Sequence, residues 1–193
     1  GILFTWLACR TTRTQPITIM NKLIIAFTAP KQTGKTTACR AIEAQHAANT
    51  HSFADPLKEF GKLIFPAAFM NEGKEQVFAP VGFSYRDFAV HTGDTWRKLN
   101  QDVFINILKH RVELSNSNVI LIDDLRYENE AKAIREMGGL IVRLSREGIE
   151  YTGEHATEQA LDNSLIDDSV DVNNVVEIVS LLIANWEKEE EEK

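Results

Sequence analysis

Three short stretches of the chain are almost continuously apolar: Leu23–Thr28 (LIIAFT), Val119–Ile122 (VILI) and residues 140–144 (LIVRL). Runs of four to six residues without polar alternation predict strands covered on both faces, as in a parallel sheet packed between helices. Between and after them the apolar positions recur at helical spacing. The predicted helices are 36–48, 95–114 (Trp96, Leu99, Val103, Ile107 and Leu108 on one side), 128–137, and 174–186 (Val175, Val179, Leu182 and Trp186). Gly138-Gly139 is a C-terminal helix stop. Strands alternating with helices of this length predict a parallel α/β sheet with right-handed crossovers. With no internal repeat and no low-complexity linker, one domain is expected, or one domain with a small insertion.

Composition narrows the classes. The 193 residues are 44% apolar and 25% charged, and 21 Lys+Arg stand against 28 Asp+Glu, a net charge of -7. That balance argues against a nucleic-acid-binding surface, which needs a basic excess. No apolar run approaches the roughly 20 residues of a membrane span, and Cys9 and Cys39 cannot make a secreted disulfide framework. The expected setting is the reducing cytoplasm, with small molecules as ligands and homodimerisation left open. Residues 1–19 hold an apolar octamer followed by Arg10 and Arg13, the reverse of a secretory signal, and Met20 directly precedes the first strand. The stretch is therefore expected to be an extension to a domain spanning 20–186. Residues 187–193 carry five Glu and two Lys, a net of -3, and are expected to be an acidic tail on a solvated helix end.

The first strand runs into Ala29-Pro30-Lys31-Gln32-Thr33-Gly34-Lys35-Thr36-Thr37, which fits the phosphate-loop pattern except that Ala29 stands where Gly is usual. A loop wrapped around a polyphosphate must turn successive backbone N–H groups inward. Gly34 permits close approach, and the following helix adds the positive end of its dipole. In such a loop Lys35 reaches the β- and γ-phosphates of ATP and the Thr36 hydroxyl ligates Mg2+. Lys31, Gln32, Thr33 and Thr37 complete the candidate nucleotide contacts. The Ala29 substitution matters little at negative φ and costs about 1 kcal/mol at positive φ.

Asp123-Asp124 ends the strand VILI, where one carboxylate can face the metal and the other cap a turn; spacing alone leaves both assignments open. Phosphoryl transfer also needs an acceptor pocket and cations for the moving charge. Candidates are Phe53, Asp55 and Lys58 in SFADPLK, Tyr85-Arg86-Asp87, and Thr92, Asp94, Trp96 and Arg97 in TGDTWR around another helix start. Arg126 follows the acidic pair. Arg143 and Arg146 lead into a polar, lid-like stretch ending near His155 and Glu158. For several of these a purely structural role competes: Asp55 and Asp94 as helix caps, Phe53 and Trp96 as core, and Thr157 as a cap in place of a His155/Glu158 metal pair.

The phosphate loop, FADPLK, TGDTWR, DDLRYENEA with its Gly-Gly stop and IVRLSR, and HATEQALD, in that order over about residues 22–186, resemble the bacteriophage deoxynucleoside monophosphate kinases. The resemblance implies a three-layer P-loop fold with a five-stranded parallel sheet, a helical substrate-binding region and a lid. It implies transfer of the ATP γ-phosphate to a deoxynucleoside 5'-monophosphate, with ATP and Mg2+ held by Lys35 and Thr36. Asp55 would orient the acceptor, Arg86 and Arg97 grip its phosphate, and Arg126, Arg143 and Arg146 stabilise the transferring group. The runners-up are a phosphomevalonate or dephospho-coenzyme A kinase and a non-catalytic ATP-sensing switch, which would have no use for the arginine set.

Overall fold

In the computed structural model, residues 22–151 and 160–192 are described. The chain forms two compact units, one reaching Ser52 and resuming at His110, the other being Phe53–Lys109. The first holds β1 (Leu23–Thr28), α1 (Lys35–Glu43) and β2 (Ala48–His51) before the excursion. The second contains α2 (Asp55–Gly61), α3 (Ala67–Met70), a hairpin of β3 (Val77–Phe78) and β4 (Phe83–Ser84), and α4 (Tyr85–Leu99). Helix α5 (Val103–Leu114) follows, and β5 (Val119–Ile122), α6 (Glu128–Glu136), β6 (Leu140–Ser145), β7 (Asp168–Asp171) and α7 (Val175–Glu191) complete the first unit.

Five strands form one parallel sheet in the order β2-β5-β1-β6-β7. β1 lies in the middle, with the strands that follow it divided between its two sides. In open α/β sheets ligands bind at the carboxyl ends of strands near such a reversal. All six residues of β1 are buried, as the unbroken apolar run requires. Leu23, Ile25 and Phe27 share one face with Leu121, Val142 and Val170, and pack with Ala38, Cys39 and Ile42 of α1 and with Val175, Val179, Leu182, Ile183 and Trp186 of α7. Ile24, Ile120, Ile122 and Ile141 point to the opposite face and are no more than 1% exposed. There a β-carbon on Gly139 would stand 2.8 Å from an Ile134 side-chain atom, so α6 can return to β6 this tightly only over glycine. No helix among the described residues is long and apolar enough to cross a membrane.

Several element boundaries differ from those the pattern predicts, and the last helix runs on to Glu191 rather than ending at 186. The first helix stops at Glu43 rather than 48, because Ala48 already starts β2. The 95–114 helix is two helices. Asn100 is extended at φ -151°, and its side-chain oxygen accepts the Asp102 N–H at 2.9 Å, so local polar side chains divert the backbone from the helical ladder. Leu99, expected on the apolar side, is left 84% exposed at the break. The helix start lies at Tyr85, where Ser84 and Asp87 exchange hydrogen bonds in a capping box; TGDTWR occupies the later turns of α4. Asp94 is therefore mid-helix and not a cap.

Candidate active site

The turn from β1 to α1 is shaped by two left-handed residues, Gln32 (φ 63°) and Gly34 (φ 105°). Left-handed residues in such a turn are a feature of the backbone nests that bind anions. Ala29 is not among the positive-φ positions, so its methyl is accommodated without left-handed strain. The Thr33 hydroxyl, fully buried, donates to the Pro30 carbonyl at 2.9 Å and ties the loop across its waist. Lys35 donates from Nζ to the carbonyls of Ala29 (2.8 Å) and Pro30 (3.2 Å), so its ammonium lies over the loop. Burial pushes the Lys35 pKa down to about 8, and the positive charge of Arg126 pushes the same way, against partial relief from Asp123 and Asp124. Cys39, one turn further along, is driven the other way by burial, to about 12, and stays a buried thiol.

The acidic pair stands just beyond the end of β5. Asp123 is 8% exposed, and its Oδ2 accepts the Thr36 hydroxyl at 3.0 Å. Asp124, the next residue, also lies beyond the end of β5 and adds its negative charge near Lys35. Arg126 follows on a backbone fixed by a buried carboxylate: Glu130, 4% exposed, accepts the N–H groups of both Arg126 and Tyr127 at 3.1 Å. Glu130 is a contributor that the motifs did not single out, although a Glu in the first turn of a helix is a recognisable capping signal.

A cleft of about 320 Å³ opens over the phosphate loop. Ala29, Pro30, Lys31, Gln32 and Lys35 form its floor, Arg126 one side, and residues 148–151 the other. That second wall is a tight turn in which the Ile149 N–H donates to the Arg146 carbonyl at 3.1 Å and Gly148 adopts φ +74°. Tyr151, a lining residue not anticipated from the sequence, brings its hydroxyl to 3.5 Å from that of Thr28. The Arg146 guanidinium lies against Gly34, where a β-carbon would stand 2.9 Å from Nη2. Arg143 is engaged differently. It donates through Nη2 to the Leu161 carbonyl at 2.6 Å and through Nη1 to the Asn163 side chain, and it does not line the cleft.

The remaining candidates lie in the second unit. Asp55 is the first residue of α2, after an Ala54 cap, and pairs with Lys58 at 3.1 Å. Phe53 is buried, and Trp96 is half-buried with its ring 6.3 Å from Phe60 and 5.8 Å from Phe104. Both α4 arginines carry partners. Arg86 meets Glu75 at 3.5 Å, whereas Arg97 lies 4.7 Å over the Phe104 ring and 4.0 Å from Asp94. Eleven residues of one helix separate them, a rise of about 16 Å. Thr92 is half-buried on the same helix. Glu158 and His155, with residues 1–21, lie outside the described residues.

Residues 86–182 match the family Deoxynucleotide monophosphate kinase. The chain is also 28% identical, over 171 residues, to a protein of Acanthamoeba polyphaga mimivirus named "Putative deoxynucleotide monophosphate kinase", with 79% of this chain and 89% of that protein covered. The phosphate loop precedes the matched segment, while Asp123, Arg126, Arg143 and Arg146 fall within it. Because the match takes in half of the chain and runs through the strand whose end carries Asp123 beside the loop, the chain belongs to the deoxynucleotide monophosphate kinase family.

Proposed function

We propose that this kinase transfers the γ-phosphate of ATP to a deoxynucleoside 5'-monophosphate, giving the diphosphate for DNA synthesis, and that a phage or virus is the setting. The observation that carries this reading is the phosphate loop whose lysine lies over its own carbonyls and whose threonine meets a strand-end aspartate. The donor phosphates lie along residues 29–37. On their arrival the Lys35 ammonium exchanges two neutral carbonyls for phosphate oxygens, a charge-assisted and stronger pairing. Thr36 and Asp123 offer hard oxygen donors 3.0 Å apart, which suits Mg2+, an ion that takes few protein ligands and completes its shell from phosphate and water. When bound, Mg2+ offsets charge on the phosphoryl oxygens. Arg126 and Arg146 take up the remaining charge of the transferring group. Arg143 acts through the Leu161 and Asn163 contacts.

The acceptor is held by the second unit. Asp55 orients the nucleophilic phosphate, Lys58 balances Asp55, and Phe53, Thr92, Asp94 and Trp96 shape the acceptor pocket; Glu158, a further acceptor candidate, lies outside the described residues. Arg97 is the ligand of the acceptor's phosphate, presented by the Phe104 ring and the Gly93 notch. Arg86 braces the 74–86 loop through its Glu75 pair and its N–H to the Lys74 carbonyl. The kinase occupies residues 20–186, works in the cytoplasm as a small-molecule enzyme, and needs no nucleic acid, consistent with its net charge of -7.

A coupled ADP-release assay tests the reading. It covers all common nucleoside and deoxynucleoside monophosphates, with mevalonate 5-phosphate and dephospho-coenzyme A alongside. ADP release above background with at least one deoxynucleoside monophosphate, and with neither control, is expected. Turnover of a control alone would transfer the chain to another acceptor class, and ATP binding without any turnover would make it a switch.

A further inference from the structure

Asp123 is held at both oxygens. While Oδ2 accepts from Thr36, Oδ1 accepts the Ser52 hydroxyl at 2.6 Å, and Ser52 is 4% exposed. The sheet register produces this meeting. β2 and β5 are parallel neighbours with His51 opposite Ile122, so the residues one step beyond each strand, Ser52 and Asp123, lie side by side. The Asp123 N–H reaches back to the His51 carbonyl at 3.3 Å, continuing the ladder to this point. A carboxylate clamped through one oxygen keeps its other lobe in a fixed direction, here toward Thr36.

We infer that Ser52 is a positioning residue for the metal-side carboxylate: its hydroxyl fixes the rotation of Asp123 so that Oδ2 faces the Thr36 hydroxyl and any cation bound there. The inference rests on the ATP and Mg2+ reading above. A Thr36 hydroxyl that ligates a cation through an oxygen lone pair still has its proton to donate to Asp123 Oδ2, so Thr36 and Ser52 hold the two carboxylate oxygens from opposite sides and Ser52 keeps the carboxylate from swinging. Hydrogen-bond partners of this kind around metal-associated groups typically affect metal affinity by about 10- to 100-fold.

The test is calorimetric titration of the full chain with a non-hydrolysable ATP analogue, without acceptor, over a Mg2+ series and in EDTA. Ser52→Ala is expected to raise the Mg2+ concentration for half-maximal tightening about tenfold, while analogue affinity in EDTA stays within about twofold of the wild type. Ser52→Thr, which keeps the hydroxyl, is expected to restore the Mg2+ dependence. Ser52→Cys, close in size and a weak donor, should fall between, and it supplies the comparison if the alanine variant folds poorly. An unchanged Mg2+ midpoint in Ser52→Ala or Ser52→Cys, or equal loss with and without Mg2+, would overturn the positioning role. Failure of the wild type to bind the analogue at all would instead overturn the kinase reading, and the role of Ser52 with it.

Discussion

Gly34→Ala is the substitution through which the phosphate loop can be probed most sharply, because the structure predicts two separable effects. The first is conformational. At φ 105° and ψ 19° an L-residue is in the left-handed region, which costs about 1–2 kcal/mol. Alanine returns roughly 0.4–1 kcal/mol by stiffening the unfolded chain. The net loss is about 1 kcal/mol, or a Tm lower by about 2–4 °C in a chain of this size. The second effect is steric. The new methyl would stand 2.9 Å from Arg146 Nη2, so the guanidinium must move. Moving the free end of a long side chain costs little stability, yet it displaces a cation that the mechanism places on the transferring phosphoryl. Arg146→Ala is expected to lower kcat by about 10²-fold or more with a smaller change in acceptor KM. In a double-mutant cycle, Gly34→Ala should therefore reduce kcat much less in the Arg146→Ala background than alone, while its Tm loss is the same in both. Differential scanning fluorimetry and steady-state kinetics supply the four corners. Additive effects on kcat, or an unchanged Tm in Gly34→Ala, would refute the reasoning. Ala29→Gly is the control at the loop's other end: with no left-handed strain to relieve, it should leave kcat unchanged and cost about 0.5–1 kcal/mol of stability.

Three further expectations concern charge. Phosphates favour the charged form of Lys35, whose free pKa is about 8, so ATP affinity is full below pH 8 and falls as pH rises above it; calorimetry at pH 8.5 in buffers of different ionisation enthalpy should detect net proton uptake. Asp123→Asn should raise the Mg2+ requirement sharply and Asp124→Asn only mildly, because Asp123 accepts the Thr36 hydroxyl; equal effects in Mg2+ titrations of activity would misplace the metal side. Arg97→Lys should raise the acceptor KM by about tenfold through loss of the planar fork, and Arg86→Lys should not; the reverse outcome would exchange their roles.

What could be read from the chain alone followed burial. β1, β5 and β6 are the three inner strands, covered on both faces, and each shows as an apolar run. β2 (ANTH) and β7 (DSVD) are the edges, only partly buried, and an edge strand needs no continuous apolar run, so β7 carried no pattern to find. The phosphate loop was legible because its chemistry is local: a glycine at positive φ, a lysine beside it and a helix start are all set by neighbours in sequence. The break at Asn100 was not, since Trp96, Leu99 and Val103 keep helical spacing across it while the Asn100 side chain captures the next backbone donor. The bond from Thr36 to Asp123, the clamp by Ser52, and the commitment of Arg143 to Leu161 and Asn163 were decided only by tertiary structure. Each depends on strand register or on a contact made across at least 18 residues, and a parallel sheet brings such groups together through crossovers whose pairing leaves no local mark on either partner.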